Sequence, residues 1–145
     1  MLYAATLVAG ICNAVEPGQN ATLSKSLGQP WLAALVVVFF NAIIFFGVGL
    51  ATHKLAVPSL GQIAKVPWWA WLGGVTSAAI ITAQLFVSEK VGAGVFLGLL
   101  VTAGVVTSIL LDNFGLVGFK VHPTSLWRIL GGALMIVGVG LVALF

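Results

Sequence analysis

The stretch WLAALVVVFFNAIIFFGVGLAT, residues 31–52, contains no charged side chain, and Asn41 is the only strongly polar residue before its last position. A helix that crosses a membrane needs about 20 consecutive, mostly apolar residues. This stretch therefore predicts a transmembrane helix and sets the class of the whole chain.

The composition of the rest of the chain agrees with that class. Of the 145 residues, 61% are hydrophobic and only 6% are charged. Soluble domains are about a quarter charged, because their surface must be solvated by water. We therefore expect lipid to solvate most of the exterior.

Three further segments read as spans. They cover residues 68–87, 91–111 and 125–145. The first of them opens with Pro67 and three tryptophans within four residues, a proline at a helix start followed by aromatic anchors for the membrane interface.

The N-terminal segment leaves two alternatives. Residues 2–15 are too short to span, whereas an extension to residue 27 is long enough but places Glu16 and Pro17 at membrane depth. The other possibility is a re-entrant segment that ends at Pro17. We favour the full span, because Gly28-Gln29-Pro30 is a better turn than anything earlier.

The sequence thus predicts an all-α integral membrane protein with five transmembrane helices in one domain, residues 1–145. The connections are too short for a soluble domain. With five spans, the termini lie on opposite faces, and the cations divide four against two: Lys54, Lys65, Lys120 and Arg128 on the N-terminal side, Lys25 and Lys90 on the other. This weak bias permits insertion in both orientations.

Several function classes are excluded by pattern. The net charge is +3, but the cations are scattered singly, so no patch follows a nucleic-acid backbone. His53 and His122 lack partners at metal-ligand spacing, and no enzyme motif or Gly-rich phosphate loop is present. We expect no metal, no cofactor and no nucleic-acid partner. Cys12 is the single cysteine, which excludes an intrachain disulfide.

Glu16 is the strongest candidate for a functional residue. A carboxylate at membrane depth is costly and normally faces the bundle interior or a wet cavity. On a helix, Asn13, Glu16 and Asn20 share one face, and Pro17 frees the Asn13 carbonyl as an acceptor. Glu16 could therefore exchange a proton for a substrate. The alternative is a solvated, inert carboxylate at the interface.

Other polar or aromatic groups within the apolar runs are weaker candidates for a binding site. Asn41 and Gln84 could line a cavity or simply bond a neighbouring helix, which is the commoner use of such amides. Trp71 reads as an interface anchor that is deep enough to contact a ligand. Glu89 reads as a solvated loop charge, and Asp112 as a cap or loop-ordering residue.

Glycine pairs predict close helix packing. Gly131 and Gly138 lie seven apart on one helix face, and Gly94 and Gly98 form a GxxxG pair. Small residues let helix backbones approach closely in lipid. For either pair, packing within the chain and contact with another subunit remain open.

Four pieces of sequence carry a family resemblance: EPGQNATL at 16–23, PWWAWLGG at 67–74, LDNFGLVG at 111–118 and RILGGALM at 128–135. Through them the chain resembles the YdcZ-type branch of the drug/metabolite transporter superfamily along nearly its whole length. Glu16 stands where many members carry Gln, and Val105 stands where a Gln is frequent.

The chain is more distantly similar to the small multidrug resistance exporters. In those proteins a first-helix Glu binds protons or cationic substrates, and a last-helix glycine pair seven apart forms the dimer contact. Glu16 matches the first feature, and Gly131 with Gly138 the second. The likeness implies that two copies pair in opposite orientations and form the pathway together.

These resemblances imply a secondary active transporter of the inner membrane. It would export a small organic cation or a metabolite by proton exchange, as an inverted dimer with a second copy or a paralogue. Glu16, Asn20, Asn41, Asn13, Trp71 and Gln84 would form the substrate and proton site. The alternative is a non-transporting membrane subunit, such as a lipid-carrier flippase partner or an assembly factor.

Overall fold

The computed structural model describes residues 2–145, and only the backbone of Leu2. Within this range the secondary structure is entirely helical. The α-helices are α1 (Leu2–Leu27), α2 (Pro30–Ala51), α3 (Leu60–Ile63), α4 (Gly73–Phe86), α5 (Ser88–Val91), α6 (Ala93–Phe114) and α7 (Leu126–Leu144). A 3-10 helix, Trp68–Leu72, leads into α4, and another, Leu116–Gly118, follows α6.

Within residues 2–145, four helical segments are long and apolar enough to cross a membrane. They are Pro30–Ala51, Trp68–Phe86, Ala93–Phe114 and Leu126–Leu144. The prediction of an all-helical, multi-pass membrane protein is therefore confirmed. The 26-residue helix α1 is long enough to span, but it does not meet the same test of mean hydropathy because it carries polar residues such as Glu16, Asn20 and Lys25.

Some element boundaries differ from the sequence prediction. The connection expected at residues 53–67 contains α3, which Ser59 and Gln62 start with a capping box. Helix α6 continues past residue 111 and stops only where Gly115 adopts a left-handed conformation, with φ of 61°. Asp112 consequently lies inside the last turn of α6 and does not end the helix.

Backbone contacts divide the chain into two compact units, and Val15–Glu89 is one of them. Its core consists of Ala33 from α2 and of Ile81 and Leu85 from α4, with Leu23 of α1 packed against them. Three helices therefore contribute to the core of this unit.

The other unit combines the residues up to Ala14 with Lys90–Phe145. Helices α6 and α7 pack along their lengths as an antiparallel pair: Gly98 lies against Val139, and near the opposite end of the pair Gly132 lies against Ile109. A Cβ added at Gly98 would overlap the Val139 side chain. Gly98 is therefore used for packing within the chain.

Candidate functional site

Two buried amides meet between α1 and α4. Asn20 Nδ2 donates a hydrogen bond of 2.8 Å to Gln84 Oε1, and the two residues are only 4% and 1% exposed. Gln84 Nε2 is buried and has no hydrogen-bond acceptor among residues 2–145. A buried donor without a partner is costly, so an acceptor that reached this atom would be stabilised by it.

Further polar residues continue from this pair toward the ends of the two helices. Together the three pairs, Asn20 with Gln84, Ser24 with Ser88 and Lys25 with Glu89, are called the polar seam. One turn further on, Ser24 and Ser88 are both buried, and the Ser88 hydroxyl donates to the Gln84 carbonyl. Lys25 and Glu89 then form an ion pair whose side chains are more than half exposed. Glu89 therefore remains exposed to solvent, and Lys25 is its ion-pair partner.

The seam also fixes the relative direction of the helices. Asn20 and Gln84 are 64 residues apart, and Lys25 and Glu89 have the same separation. Because the difference in residue number is the same for both pairs, the two segments advance in the same direction along their axes. Helix α1 and the segment from α4 to α5 therefore run parallel.

Glu16 lies one turn before Asn20 on α1, at i and i+4, and is half-buried. Its carboxylate has neither a hydrogen bond nor an ion pair with any residue in the range 2–145. Pro17 is buried beside it. A re-entrant segment would have ended at Pro17, whereas α1 continues through Pro17 to Leu27. Asn13 is half-buried on the same helix.

The other two site candidates lie on the surface of the single chain. Asn41 is exposed on α2, and its side chain has no hydrogen bond in the described part of the chain. Trp71 is 61% exposed in the 3-10 helix before α4. The structure thus joins Asn20 to Gln84 and leaves Asn41 and Trp71 outside this pair, so their site roles stay predictions.

Sequence reasoning missed the serines and the ion pair of the seam. A signal for Ser24 was present, because Glu16, Asn20 and Ser24 recur every four residues and so share a helix face. No comparable local signal linked Lys25 to Glu89, since neither lies near the other in sequence.

Gly131 and Gly138 lie on an open face of α7. A Cβ added at either would have no neighbouring atom within 4 Å, among the described residues. Neither glycine is therefore a site of close packing within residues 2–145. The face is therefore available to lipid or to another subunit.

Comparison with known proteins agrees with the membrane helices. Residues 1–141 match a family model described as "Putative inner membrane exporter, YdcZ". No curated protein and no solved structure matches the chain. With its four apolar helices, the chain is a multi-pass protein of the inner membrane. Because the match extends over nearly all of the sequence, the chain belongs to the YdcZ family of the drug/metabolite transporters.

Proposed function

We propose that the chain is one subunit of a secondary active transporter that exports a small organic cation in exchange for protons. A neutral metabolite is the second choice of substrate. The observation that carries the proposal is Glu16, a half-buried carboxylate without a partner in residues 2–145, one helical turn from the buried Asn20–Gln84 pair.

The lack of a partner explains why Glu16 suits exchange. An ionised carboxylate removed from water is costly unless a positive group or a proton neutralises it. Within the described chain no Lys or Arg performs this task for Glu16. A proton and a cationic substrate would therefore compete for the same carboxylate, which couples the flux of one to the flux of the other.

The amide pair would supply polar contacts beside the charge. In residues 2–145, Gln84 Nε2 has an N–H without an acceptor, and the Asn20 side chain has its own carbonyl oxygen close by. Such groups orient a substrate without binding it so tightly that it cannot leave. Asn13, Asn41 and Trp71 would complete the site only where another subunit or a different conformation brings them to it.

The direction of α1 supports a fifth span. Helix α1 is parallel to the apolar span Trp68–Phe86 and hydrogen-bonded to it through Asn20 and Gln84. Only two residues connect Leu27 to Pro30, so α2 must return antiparallel to α1. Helix α1, α2 and the third segment would then cross the membrane in alternate directions.

The open face of α7 supports assembly of two subunits. An inverted pair with a site near the midplane is a common route to alternating access, since exchange of the two halves' conformations reverses the opening. Gly131 and Gly138 would let two α7 helices approach closely. The second subunit would be another copy or a paralogue.

The test measures flux in liposomes that contain the purified protein and a pH-sensitive dye. A concentration gradient of each compound in a panel of primary and quaternary ammonium ions is imposed across the liposome membrane. We expect at least one cation to drive proton movement in the opposite direction, and cation binding to weaken as the pH falls. Absence of coupled proton movement across the panel would contradict the proposal and favour a non-transporting subunit.

Substitution of Glu16 separates its role from a structural one. Glu16→Gln keeps size and hydrogen bonding but removes the carboxylate, so the protein should fold, lose coupled flux and bind cations with little pH dependence. Glu89→Gln is the matched control, because it makes the same change at the other glutamate and should retain coupling. Full cation affinity and pH dependence in Glu16→Gln would show that Glu16 is structural.

A further inference from the structure

We propose that a groove between α6 and α7 binds a phospholipid whose headgroup carries both a phosphate and a primary amine. The groove has a volume of about 510 Å³. Its walls are mostly apolar, with Val105 and Ile109 from α6 and Met135 from α7, while Asp112 and Arg128 close one end. The site uses neither Glu16 nor the buried amides, but its lining includes Gly131, so the lipid would lie beside the proposed α7 contact between subunits.

The charged end of the groove lies where a headgroup lies. Asp112 is in the last turn of α6 and Arg128 in the first turn of α7. Both helices are long enough to cross the hydrocarbon core, so their ends reach the headgroup region. An acyl chain in the apolar part of the groove would place its phosphate and amine beside these two residues.

Asp112 and Arg128 satisfy only part of each other's hydrogen-bonding capacity. Their contact is a single one of 3.5 Å between Arg128 Nη1 and Asp112 Oδ2, and the side chains are 44% and 26% exposed. In residues 2–145 neither charged group has another hydrogen bond. A guanidinium has five N–H donors and a carboxylate two acceptor oxygens, so most of their capacity remains available.

This charge arrangement selects a particular headgroup. Arginine binds phosphate through charge-assisted hydrogen bonds, and a carboxylate accepts from a primary ammonium in the same way. Phosphatidylethanolamine offers both groups a few bonds apart. A choline headgroup has no N–H to donate, and a glycerol headgroup has no cation, so each satisfies only one of the two residues.

A second copy of the chain fits this end of the groove less well. Packing of protein over Asp112 and Arg128 would remove two partly hydrated charges from water, which costs more than a single weak contact returns. A zwitterionic headgroup replaces that water with matched charges. Lipid is therefore the occupant that the charges favour.

The test compares binding of three phospholipids with identical acyl chains to the full chain in detergent, by native mass spectrometry and by lipid-dependent thermal shift. We expect phosphatidylethanolamine to bind about tenfold more tightly than phosphatidylcholine or phosphatidylglycerol, through one additional charge-assisted contact. Equal binding of all three lipids would overturn the proposal.

Two substitutions assign the contacts. Asp112→Asn should abolish the preference for ethanolamine over choline, and Arg128→Gln should weaken all three lipids, because all share the phosphate. Lys120→Gln is the control, since Lys120 lies in the connection between α6 and α7 but does not line the groove. Unchanged lipid selectivity in both folded groove variants would also overturn the proposal. If either variant fails to fold, the comparison of the three headgroups on the unsubstituted chain still tests it.

Discussion

Gln84 is the largest fully buried side chain in residues 2–145, although it is polar and lies near the end of α4. From sequence, that terminal position made Gln84 a weaker candidate than Glu16 or Asn41. Asn20 reaches it from α1 and donates a hydrogen bond to its side-chain oxygen. A hydrogen bond at this place holds the two helices in one register, because a shift of either would leave both amides unpaired.

The Asn20–Gln84 bond should therefore be measurable by a double-mutant cycle. We expect Asn20→Leu or Gln84→Leu alone to lower the free energy of unfolding by about 1–2 kcal/mol, since each leaves a buried amide without its partner. The coupling between them should be about 0.6 kcal/mol and no more than about 1.7 kcal/mol, as for other hydrogen bonds between membrane helices.

Denaturation in detergent measures these free energies. Gln19→Leu serves as the control, because Gln19 is exposed on the same helix and its loss should change stability by less than about 0.5 kcal/mol. Strictly additive effects of the Asn20 and Gln84 substitutions would mean that the bond does not hold the helices.

At the scale of elements, the glycines of α6 and α7 divide into two groups. Gly98 faces Val139 in the pair of helices, whereas Gly131 and Gly138 face nothing within the described chain. The sequence left open, for each pair of glycines, whether it packs the chain or joins subunits. The structure assigns Gly98 to packing within the chain and leaves the α7 pair free.

Matched leucine substitutions should distinguish these uses. Gly98→Leu should destabilise the protomer by about 1–3 kcal/mol, because the new side chain overlaps Val139 and forces α6 and α7 apart. Gly138→Leu should leave the thermal stability of the protomer nearly unchanged but reduce the dimer detected by crosslinking in detergent. An intact dimer with a destabilised protomer in Gly138→Leu would instead mean that Gly138 packs within the chain.

For the whole molecule, orientation in the membrane is the decisive property. The cations divide four against two between the two faces predicted from the sequence, which is too small a bias to fix one orientation. An inverted pair requires that both orientations occur, either in copies of this chain or in a paralogue. The distribution of orientations therefore tests the assembly independently of substrate.

Single cysteines in the two loops that flank α2 should report orientation. In a Cys12→Ala background, we expect Gln29→Cys and Ala56→Cys each to be labelled by an impermeant maleimide from both sides of the membrane. Gln29 is suitable because its side chain does not cap α2, and Ala56 is exposed. Labelling from one side only, without an oppositely oriented partner, would exclude the inverted pair.

The sequence by itself determined the class of the protein and the approximate position of its apolar helices, because a run such as residues 31–52 can be solvated only by lipid. It also placed Glu16 and Asn20 on one face of α1. Only the tertiary structure decided that Asn20 meets Gln84, that Lys25 meets Glu89, and which glycines pack within the chain. The physical reason is that lipid and protein interior are similarly apolar, so a membrane helix carries little periodic signal of which face meets a neighbour.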